Sequence, residues 1–139
     1  MQPSFTKISA LLLNDKNQLL VVRGRGDDFY KAFGGKVDGD ETDEECLARE
    51  VMEEGRVNVT SSKFYLAPPV IEVHGKPGVY FQAKFYLIEV DGAPVANPDD
   101  NTEELLWISR TDFEQGKYEI ASALRDYAIP KLIMDGLLK

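Results

Sequence analysis

The chain has 139 residues and a net charge of −8, with 43% hydrophobic and 29% charged residues. This length suits one compact unit, so residues 1–139 are predicted to form a single domain with one core. The acidic balance argues against partners such as nucleic-acid polymers or membrane surfaces, because those require a basic face. The single cysteine, Cys46, excludes an internal disulfide framework and a thiolate zinc cluster.

Targeting signals are not evident in the sequence. No apolar run approaches the length of a membrane span, and the start MQPSFTK lacks the apolar core of a signal peptide. A cytoplasmic location is therefore the default expectation.

The first quarter of the chain predicts two strands and a loop. Residues 6–14 (TKISALLLN) predict a buried strand, and residues 14–17 (NDKN) predict a turn. Residues 18–23 (QLLVVR) are expected to complete a hairpin with the first strand. Residues 24–33 combine two glycines with mixed charge, which is typical of an exposed, adaptable loop.

A helix is predicted next. Thr42 and Glu45 have capping-box spacing, and Gly55 would lie near the C-terminal end of the helix. At 3.6 residues per turn the side chains separate into two groups. The predicted packing side holds Leu47, Ala48 and Val51. The other side, expected to stand in the open, holds Glu50, Glu53 and Glu54.

The second half alternates extended segments with turns. Residues 56–60, 63–66, 70–73, 79–90 and 104–108 predict strands, and residues 74–78 (HGKPG) predict a hairpin turn. Thr111 and Glu114 suggest a second capping box, and residues 119–138 predict a helix that Pro130 must kink or restart. Mixed strands with segregated helices indicate the α+β class, arranged as an α/β/α sandwich.

The most unusual stretch is the acidic segment from Gly35 to Val57, which contains nine aspartates and glutamates. Such a density of carboxylates is electrostatically unfavourable unless cations offset it. Oxygen ligands on one helical face suit Mg²⁺, whereas a merely solvated acidic face is the simpler alternative. Arg49 is expected to project away from Glu50 and to pair with Glu41 or Glu53.

The spacing within this segment resembles the Nudix box. Gly35 is followed after five residues by Glu41, after seven more by Arg49-Glu50-Val51, and after one more by Glu53-Glu54. The family signature then has one residue, a glycine and an apolar residue. Here Arg56 stands where that glycine is expected, with Gly55 one place early. A glycine displaced by one residue is expected still to permit a turn after the helix.

The resemblance implies the Nudix fold, a mixed sheet between helices, and metal-dependent hydrolysis of a nucleoside diphosphate linked to another group. By position, the metal ligands would be Gly35 through its carbonyl, Glu50, Glu53 and Glu54. Mg²⁺ is the expected ion, with Mn²⁺ as a substitute. Catalysis would involve Arg49, Glu50 and Glu53, with Glu53 as the general base. Some family members use a glutamate beyond the box, for which Glu103 and Glu104 are the alternatives.

The substrate must be inferred from residues outside the box. FGGKV at residues 33–37 resembles the family members that clear oxidised purine nucleoside triphosphates, so a (d)NTP or modified purine triphosphate giving pyrophosphate is expected. Phosphate contacts are predicted for Arg23, Arg25 and Lys31, unless these are solvated loop charges, and Lys36 is a further predicted substrate contact. Base contacts are predicted for Phe33 and Trp107, unless both are core residues.

Two other functions stay open at this point. Pro68-Pro69 faintly resembles the ADP-ribose-cleaving members, which would make ADP-ribose or a nucleotide sugar the substrate. A non-catalytic nucleotide-binding module is the third reading, although the box glutamates it usually lacks are present. The expected partner is a small-molecule nucleotide. The resemblance also allows a homodimer, but no interface signature stands out.

Overall fold

The computed structural model of the protein describes residues 2–139, which form a mixed sheet with helices on both sides. The strands are β1 (Phe5–Leu11), β2 (Leu19–Gly24), β3 (Phe33–Lys36), β4 (Asn58–Leu66), β5 (Ile71–Glu72), β6 (Tyr80–Asp91) and β7 (Thr102–Ile108). The helices are α1 (Asp43–Gly55), α2 (Arg110–Glu114) and α3 (Ile129–Met134), with a 3₁₀ turn at Pro98–Asp100. The predicted α+β class is confirmed.

The larger sheet is organised around β1 and β6, which run parallel to each other. The strand order is β3-β1-β6-β4, and β5 pairs with another part of β6. Side chains alternate between the two faces of a strand. Lys7 and Ser9 of β1 therefore share one face of the sheet, while Ile8 and Ala10 share the other.

The predicted hairpin between the first two strands forms only at its tip, where Leu13 and Leu19 make an isolated antiparallel bridge and the Leu20 amide donates to the carbonyl of Leu12 at 2.9 Å. The turn is present, with Asn17 at a φ of 58° and Asn14 Oδ1 accepting from the amide of Gln18 at 2.9 Å. However, β2 pairs with β7 in a separate two-stranded sheet, with Leu20 opposite Trp107. The reason is that both hydrogen-bonding edges of β1 are already occupied, by β3 and by β6.

Two buried clusters separate the layers. One lies between α1 and the sheet and includes Ile8, Phe33, Leu47 and Val51. The other lies between the opposite face of the sheet and residues 122–134, the terminal helix, and includes Phe81, Phe85, Leu124, Ile129 and Leu132. The sheet of β2 and β7 contributes to both clusters, so it joins the two layers.

Two local predictions about helices need correction. In α1 the buried face holds Cys46 together with Leu47 and Val51, whereas Ala48 is exposed. The capping box of α2 is formed by Ser109 and Asp112, so the helix begins two residues earlier than Thr111 implied. A hydroxyl followed three residues later by a carboxylate occurs at both positions, and only the first lies where β7 ends.

The terminal helix accommodates Pro130 by a change of helical type. Residues Leu124–Ala128 form a π-helical segment that leads directly into α3, where Pro130 lies in the first turn. Proline lacks the amide hydrogen and its ring collides with the carbonyl of the preceding turn, so a wider turn just before it relieves both problems. Within residues 2–139 no helix is long and apolar enough to cross a membrane.

Candidate active site

Helix α1 is fixed at its N-terminal end by a capping box and by contacts to β6. Thr42 Oγ1 accepts from the amide of Glu45 at 3.1 Å, and Glu45 Oε1 accepts from the amide of Thr42 at 2.9 Å, as predicted. The Tyr86 hydroxyl donates to Asp43 at 2.5 Å, and Lys84 lies 3.4 Å from the same carboxylate. These contacts set the direction in which the later turns of α1 carry their glutamates.

Strand β3 approaches α1 and β1 too closely for side chains at two positions. A Cβ on Gly35 would collide with the carboxylate of Glu50. A Cβ on Gly34, where φ is 146°, would collide with the carbonyl of Ile8. The two glycines therefore allow β3 to approach α1 and β1 closely. As a result the Glu50 carboxylate rests against the backbone of β3.

Arg49 lies at the centre of a group of four glutamates, Glu41, Glu50, Glu53 and Glu54, which we call the carboxylate cluster. Its guanidinium binds both oxygens of Glu41, at 2.6 and 2.9 Å. Its Nη1 also lies 2.9 Å from Glu50 and 3.3 Å from Glu53. The predicted pairing with Glu41 or Glu53 is confirmed. The expectation that Arg49 points away from Glu50 is wrong, because its long side chain reaches across both neighbours.

The cluster carries more negative charge than Arg49 offsets. Hydrogen bonds from Arg49 and from the Asp38 amide hold the pKa of Glu41 down, at about 2. For Glu50 the balance is reversed: burial raises its pKa, the charges of Glu53 and Asp100 add to the effect, and Arg49 opposes it. Four carboxylates with one guanidinium therefore form a strongly negative site.

Glu54 is enclosed by the structure. It is 7% exposed, and its Oε1 accepts from the amide of Gly34 at 2.8 Å. Burial raises the pKa of Glu54 to about 7, even though the Gly34 amide and the charge of Lys7 oppose the shift. The prediction that this carboxylate stands in the open is wrong, because the last turn of α1 packs directly on β3.

The donor set of the cluster fits a hard divalent cation. It consists of carboxylate oxygens and backbone carbonyls, which Mg²⁺ and similar ions prefer. The raised pKa values of Glu50 and Glu54 mark carboxylates that a nearby cation would stabilise. In the described part of the chain no three such side chains converge as a formed ion site, and Arg49 Nη1 bridges Glu50 and Glu53 instead.

A loop beyond the box brings a further carboxylate to the cluster. The side-chain amide of Asn97 donates to the carbonyl of Glu53 at 2.7 Å, and the Val95 amide donates to the carbonyl of Gly55 at 3.0 Å. These bonds fasten the loop to the end of α1. Asp100 then lies near Glu53: burial raises the pKa of Asp100, and the charge of Glu53 raises it further.

Glu103 and Glu104, the alternative bases, are engaged elsewhere. Arg23 pairs with Glu103 at 3.4 Å and with Glu104 at 3.2 Å, and the Tyr30 hydroxyl donates to Glu104 at 2.8 Å. The loop carboxylate whose charge acts on the cluster is therefore Asp100, which the sequence did not single out.

A cavity of about 800 Å³ lies on the face of the sheet opposite α1. We call it the large cavity. Its lining combines rings, cations and carboxylates, among them Phe29, Phe81, Lys7, Lys31, Asp28 and Glu119. Burial and the charge of Lys31 lower the pKa of Lys7 to about 8, while the charges of Glu54 and Glu50 oppose that shift. Lys7 thus lines the large cavity, and its strand β1 pairs with β3, against which Glu50 and Glu54 rest.

One wall of the large cavity is closed by contacts between three segments. His74, in the β5–β6 turn, lies 3.3 Å from Glu119 through its Nε2. Its ring also packs on Phe29, with 4.7 Å between centroids. Tyr30 and Ile120 form a parallel bridge, in which the Tyr30 amide donates to the carbonyl of Glu119 at 2.9 Å. These contacts hold the loop before β3 against the start of the terminal helix.

Of the six predicted substrate contacts, Lys31 lines the large cavity and the other five lie elsewhere. Phe33 is 1% exposed in the core beneath α1. Trp107 borders a separate cavity of about 350 Å³ beside Leu12 and Pro94. Both aromatic side chains face the α1 side of the fold, so their alternative reading as core residues is the better one.

The remaining cations are held by local partners. Arg23 is paired with Glu103 and Glu104, as described above. Arg25 donates to the carbonyl of Pro98 at 2.8 Å. The ammonium of Lys36 lies 4.2 Å from the centroid of the Phe5 ring. These contacts support the loops and the sheet edge around the site.

Sequence reasoning missed Lys7 and Ser9, although a signal was available. Both are polar residues within the otherwise buried strand β1, at positions i and i+2. Because alternate residues of a strand share a face, two polar residues at this spacing indicate one polar patch in an apolar layer. Such a patch under a cavity is a candidate binding surface.

Comparisons with known proteins show which family the chain belongs to. The NUDIX domain profile matches residues 4–128. A search of curated proteins found no match. Among solved structures, the MutT protein of Methanosarcina mazei Go1 is similar, with a TM-score of 0.75, 20% identity, and 97% of this chain and 96% of that chain covered.

Two further solved structures are similar to this chain, with lower TM-scores. The MutT NUDIX hydrolase of Burkholderia pseudomallei has a TM-score of 0.66 and 24% identity, covering 78% of this chain and 84% of that one. The E. coli ORF135 protein has a TM-score of 0.67 and 20% identity, covering 94% and 89%. At these identities the likeness is one of fold. Since the profile match extends over most of the sequence, from residue 4 to residue 128, the chain belongs to the NUDIX domain family and is a Nudix hydrolase acting on nucleotide-like substrates.

Proposed function

We propose that the enzyme hydrolyses a phosphoanhydride bond of a nucleoside triphosphate with Mg²⁺, releasing pyrophosphate and the nucleoside monophosphate. A (d)NTP or a modified purine triphosphate is the expected substrate. The observation that supports this most is the position of Lys7, which lines the large cavity beside Lys31 and lies on β1, the strand that pairs with β3, against which Glu50 and Glu54 rest. A nucleotide bound in the cavity could thus extend its phosphates to the carboxylate cluster.

The metal would be held by Glu50, Glu53 and Glu54, with the Gly35 carbonyl as a backbone ligand. When bound, Mg²⁺ supplies positive charge to the phosphate oxygens and lowers the pKa of a coordinated water. Mn²⁺ is expected to substitute for it. Arg49 positions these side chains, because it ties Glu50 and Glu53 to Glu41 through hydrogen bonds of 2.6 to 3.3 Å.

Glu53 is the proposed general base. Its side chain is 40% exposed, so water reaches it, and Arg49 Nη1 restrains it. Glu53 would take a proton from the attacking water as its oxygen bonds to phosphorus. The bond between phosphorus and the bridging oxygen then breaks, and pyrophosphate leaves with that oxygen.

The nucleoside would occupy the large cavity. Its volume of about 800 Å³ lies within the range typical of small-molecule sites. Phe29 and Phe81 offer ring faces for a base, and the carboxylates of Asp28 and Glu119 can accept hydrogen bonds from base amino groups. This mixture of rings and acceptors supports a nucleobase over a purely anionic ligand in the outer part of the cavity.

A substrate panel with product analysis tests the proposal. The panel contains the common and oxidised (d)NTPs, ADP-ribose and nucleotide sugars, each with Mg²⁺ and with EDTA. The expected result is pyrophosphate from one or more triphosphates, and only with metal. AMP from ADP-ribose without turnover of triphosphates would assign the alternative substrate class. Absence of turnover on the whole panel with either Mg²⁺ or Mn²⁺ would reject the proposed reaction.

A further inference from the structure

Three hydrogen-bond donors meet in the large cavity without side-chain partners among residues 2–139. Lys7 and Ser9 share one face of β1, and Lys31 comes from the loop before β3. Neither ammonium forms an ion pair or a side-chain hydrogen bond with any residue between 2 and 139. Both cations therefore line the large cavity without a carboxylate partner among the described residues.

Ser9 adds an independent observation. The residue is 3% exposed, yet its hydroxyl makes no hydrogen bond to another described residue. Within the described chain every side-chain oxygen or nitrogen that is fully sealed from solvent has a partner. The Ser9 hydroxyl must therefore open onto the large cavity, which Ser9 lines. A buried hydroxyl is stabilised only when it finds a hydrogen-bond partner, so a ligand or water must satisfy it.

The chemistry of these donors selects an anion. Two ammonium groups can donate only, and they repel each other unless negative charge lies between them. Charge-assisted bonds from ammonium to phosphate oxygens are among the strongest in proteins. Ser9 lies opposite Gly34 in the pairing of β1 with β3, and the Gly34 amide donates to Glu54 at 2.8 Å, so an anion bound here would lie next to the carboxylate cluster.

We propose that Lys7, Ser9 and Lys31 form an anion subsite that binds the phosphate remaining on the nucleoside, independently of metal. This inference rests on the proposed function for the identity of its ligand. The subsite holds the monophosphate while the carboxylate cluster acts on the neighbouring bond, so it is a binding and positioning element. The subsite also explains why β1, a strand of the core, carries Lys7 at a half-buried position.

The test measures binding in excess EDTA by isothermal titration calorimetry, with AMP, GMP, their nucleosides and inorganic phosphate as probes. Wild type should bind each monophosphate at least about tenfold more tightly than its nucleoside. Lys7→Met and Lys31→Met should each lose about tenfold in monophosphate affinity, and Ser9→Ala about threefold. Nucleoside affinity should not change in any of these variants.

Lys63→Met is the matched control. Lys63 is exposed on β4 and makes no ion pair within residues 2–139, and its loss changes the net charge by the same single unit. The proposal is overturned if Lys7→Met and Lys31→Met bind monophosphates like Lys63→Met, or if wild type does not prefer monophosphates to nucleosides. Lys7→Gln serves as a second variant at that position, and unfolding curves establish that each variant is folded.

Failure of the subsite and failure of the proposed reaction give different results. If the substrate panel shows pyrophosphate release but both lysine variants bind AMP normally, the subsite is wrong and the reaction stands. If no nucleotide turns over while monophosphate binding depends on Lys7 and Lys31, the subsite stands and the proposed reaction is wrong. Inorganic phosphate distinguishes a general phosphate site from one that also requires the nucleoside.

Discussion

Gly55 has no side chain at the place where the ring of Phe33 packs against α1. A Cβ on Gly55 would lie 2.5 Å from Phe33 Cζ. The family signature has glycine at the position of Arg56, so this chain departs from the pattern there. The structure shows what the displaced glycine does: the absence of a side chain at residue 55 makes room for the ring of Phe33.

Gly55→Ala should therefore destabilise the fold. Alanine in a helix normally favours folding over glycine, but here its methyl group would overlap a buried ring, which costs about 1–3 kcal/mol. Phe33→Leu should remove the overlap, so the double variant should be more stable than the two single effects predict, by about 1 kcal/mol or more. Urea unfolding of the four proteins measures this coupling. Additive effects within about 0.5 kcal/mol would contradict it.

Arg56 makes the turn after α1 in a left-handed conformation, with a φ of 57° and its amide donating to the carbonyl of Met52 at 3.1 Å. The turn expected after the helix is therefore present, but Arg56 makes it, because Gly55 is still helical. Arg56→Gly should be about 1 kcal/mol more stable than Arg56→Ala, since both lose the side-chain bond to Asn97 and only glycine is unstrained there. Equal stability of the two variants would show that the left-handed conformation at residue 56 is not strained for a residue with a side chain.

Arg49→Lys should impair catalysis while leaving the fold intact. A lysine ammonium cannot bind both oxygens of Glu41 and still contact Glu50 and Glu53. Loss of such positioning contacts around a metal site typically lowers affinity or activity about 10–100-fold. Steady-state rates and a Mg²⁺ titration measure both effects. Arg110→Lys, in an exposed pair with Glu114 at 3.1 Å, is the control and should behave as wild type.

Lys7 predicts a pH dependence of stability in the metal-free protein. Its pKa is about 8 when folded and 10.5 in an ordinary environment. Between these values the unfolded state binds more protons, so this residue makes stability rise with pH from about 8 to 10.5. Lys7→Met should then raise the free energy of unfolding at pH 7 by about 1 kcal/mol, and this gain should shrink above pH 8.

The measurement is urea unfolding in EDTA at several pH values, with Lys63→Met as the reference. A stability gain at pH 7 together with weaker binding of AMP would separate a functional role of Lys7 from a structural one. A loss of stability in Lys7→Met at pH 7, or a gain that is constant from pH 7 to 10, would contradict the assigned burial of this cation.

The chemistry of the α1 segment could be predicted from the sequence because it is local. The capping box of Thr42, the helical spacing of the glutamates and the reach of Arg49 to Glu41 all follow from positions within eight residues of each other. Pairing between distant strands does not follow from such patterns. The sequence shows a turn at 14–17, but not that β3 and β6 occupy both edges of β1 and leave β2 to pair with β7.

The residues that bind the substrate were harder to predict, because their positions also depend on contacts between distant parts of the chain. Phe33 and Trp107 have the residue types that stack on bases, but the side of the sheet on which each lies depends on strand pairing and register. Both face the core beneath α1, whereas Lys7 and Ser9 face the large cavity. Asp100 comes near Glu53 only because Asn97 fastens the loop to the end of α1, a contact between residues 44 positions apart.

The most direct test of the account is the turnover of Glu53→Gln beside Glu44→Gln, measured with the best triphosphate and saturating Mg²⁺. Glu44 lies exposed in the first turn of the same helix and makes no side-chain bond within residues 2–139. Glu53→Gln should lose roughly 10²–10⁴-fold in kcat while it still folds and binds AMP, and Glu44→Gln should turn over like wild type. Equal turnover of the two variants would contradict a catalytic role of the carboxylate cluster.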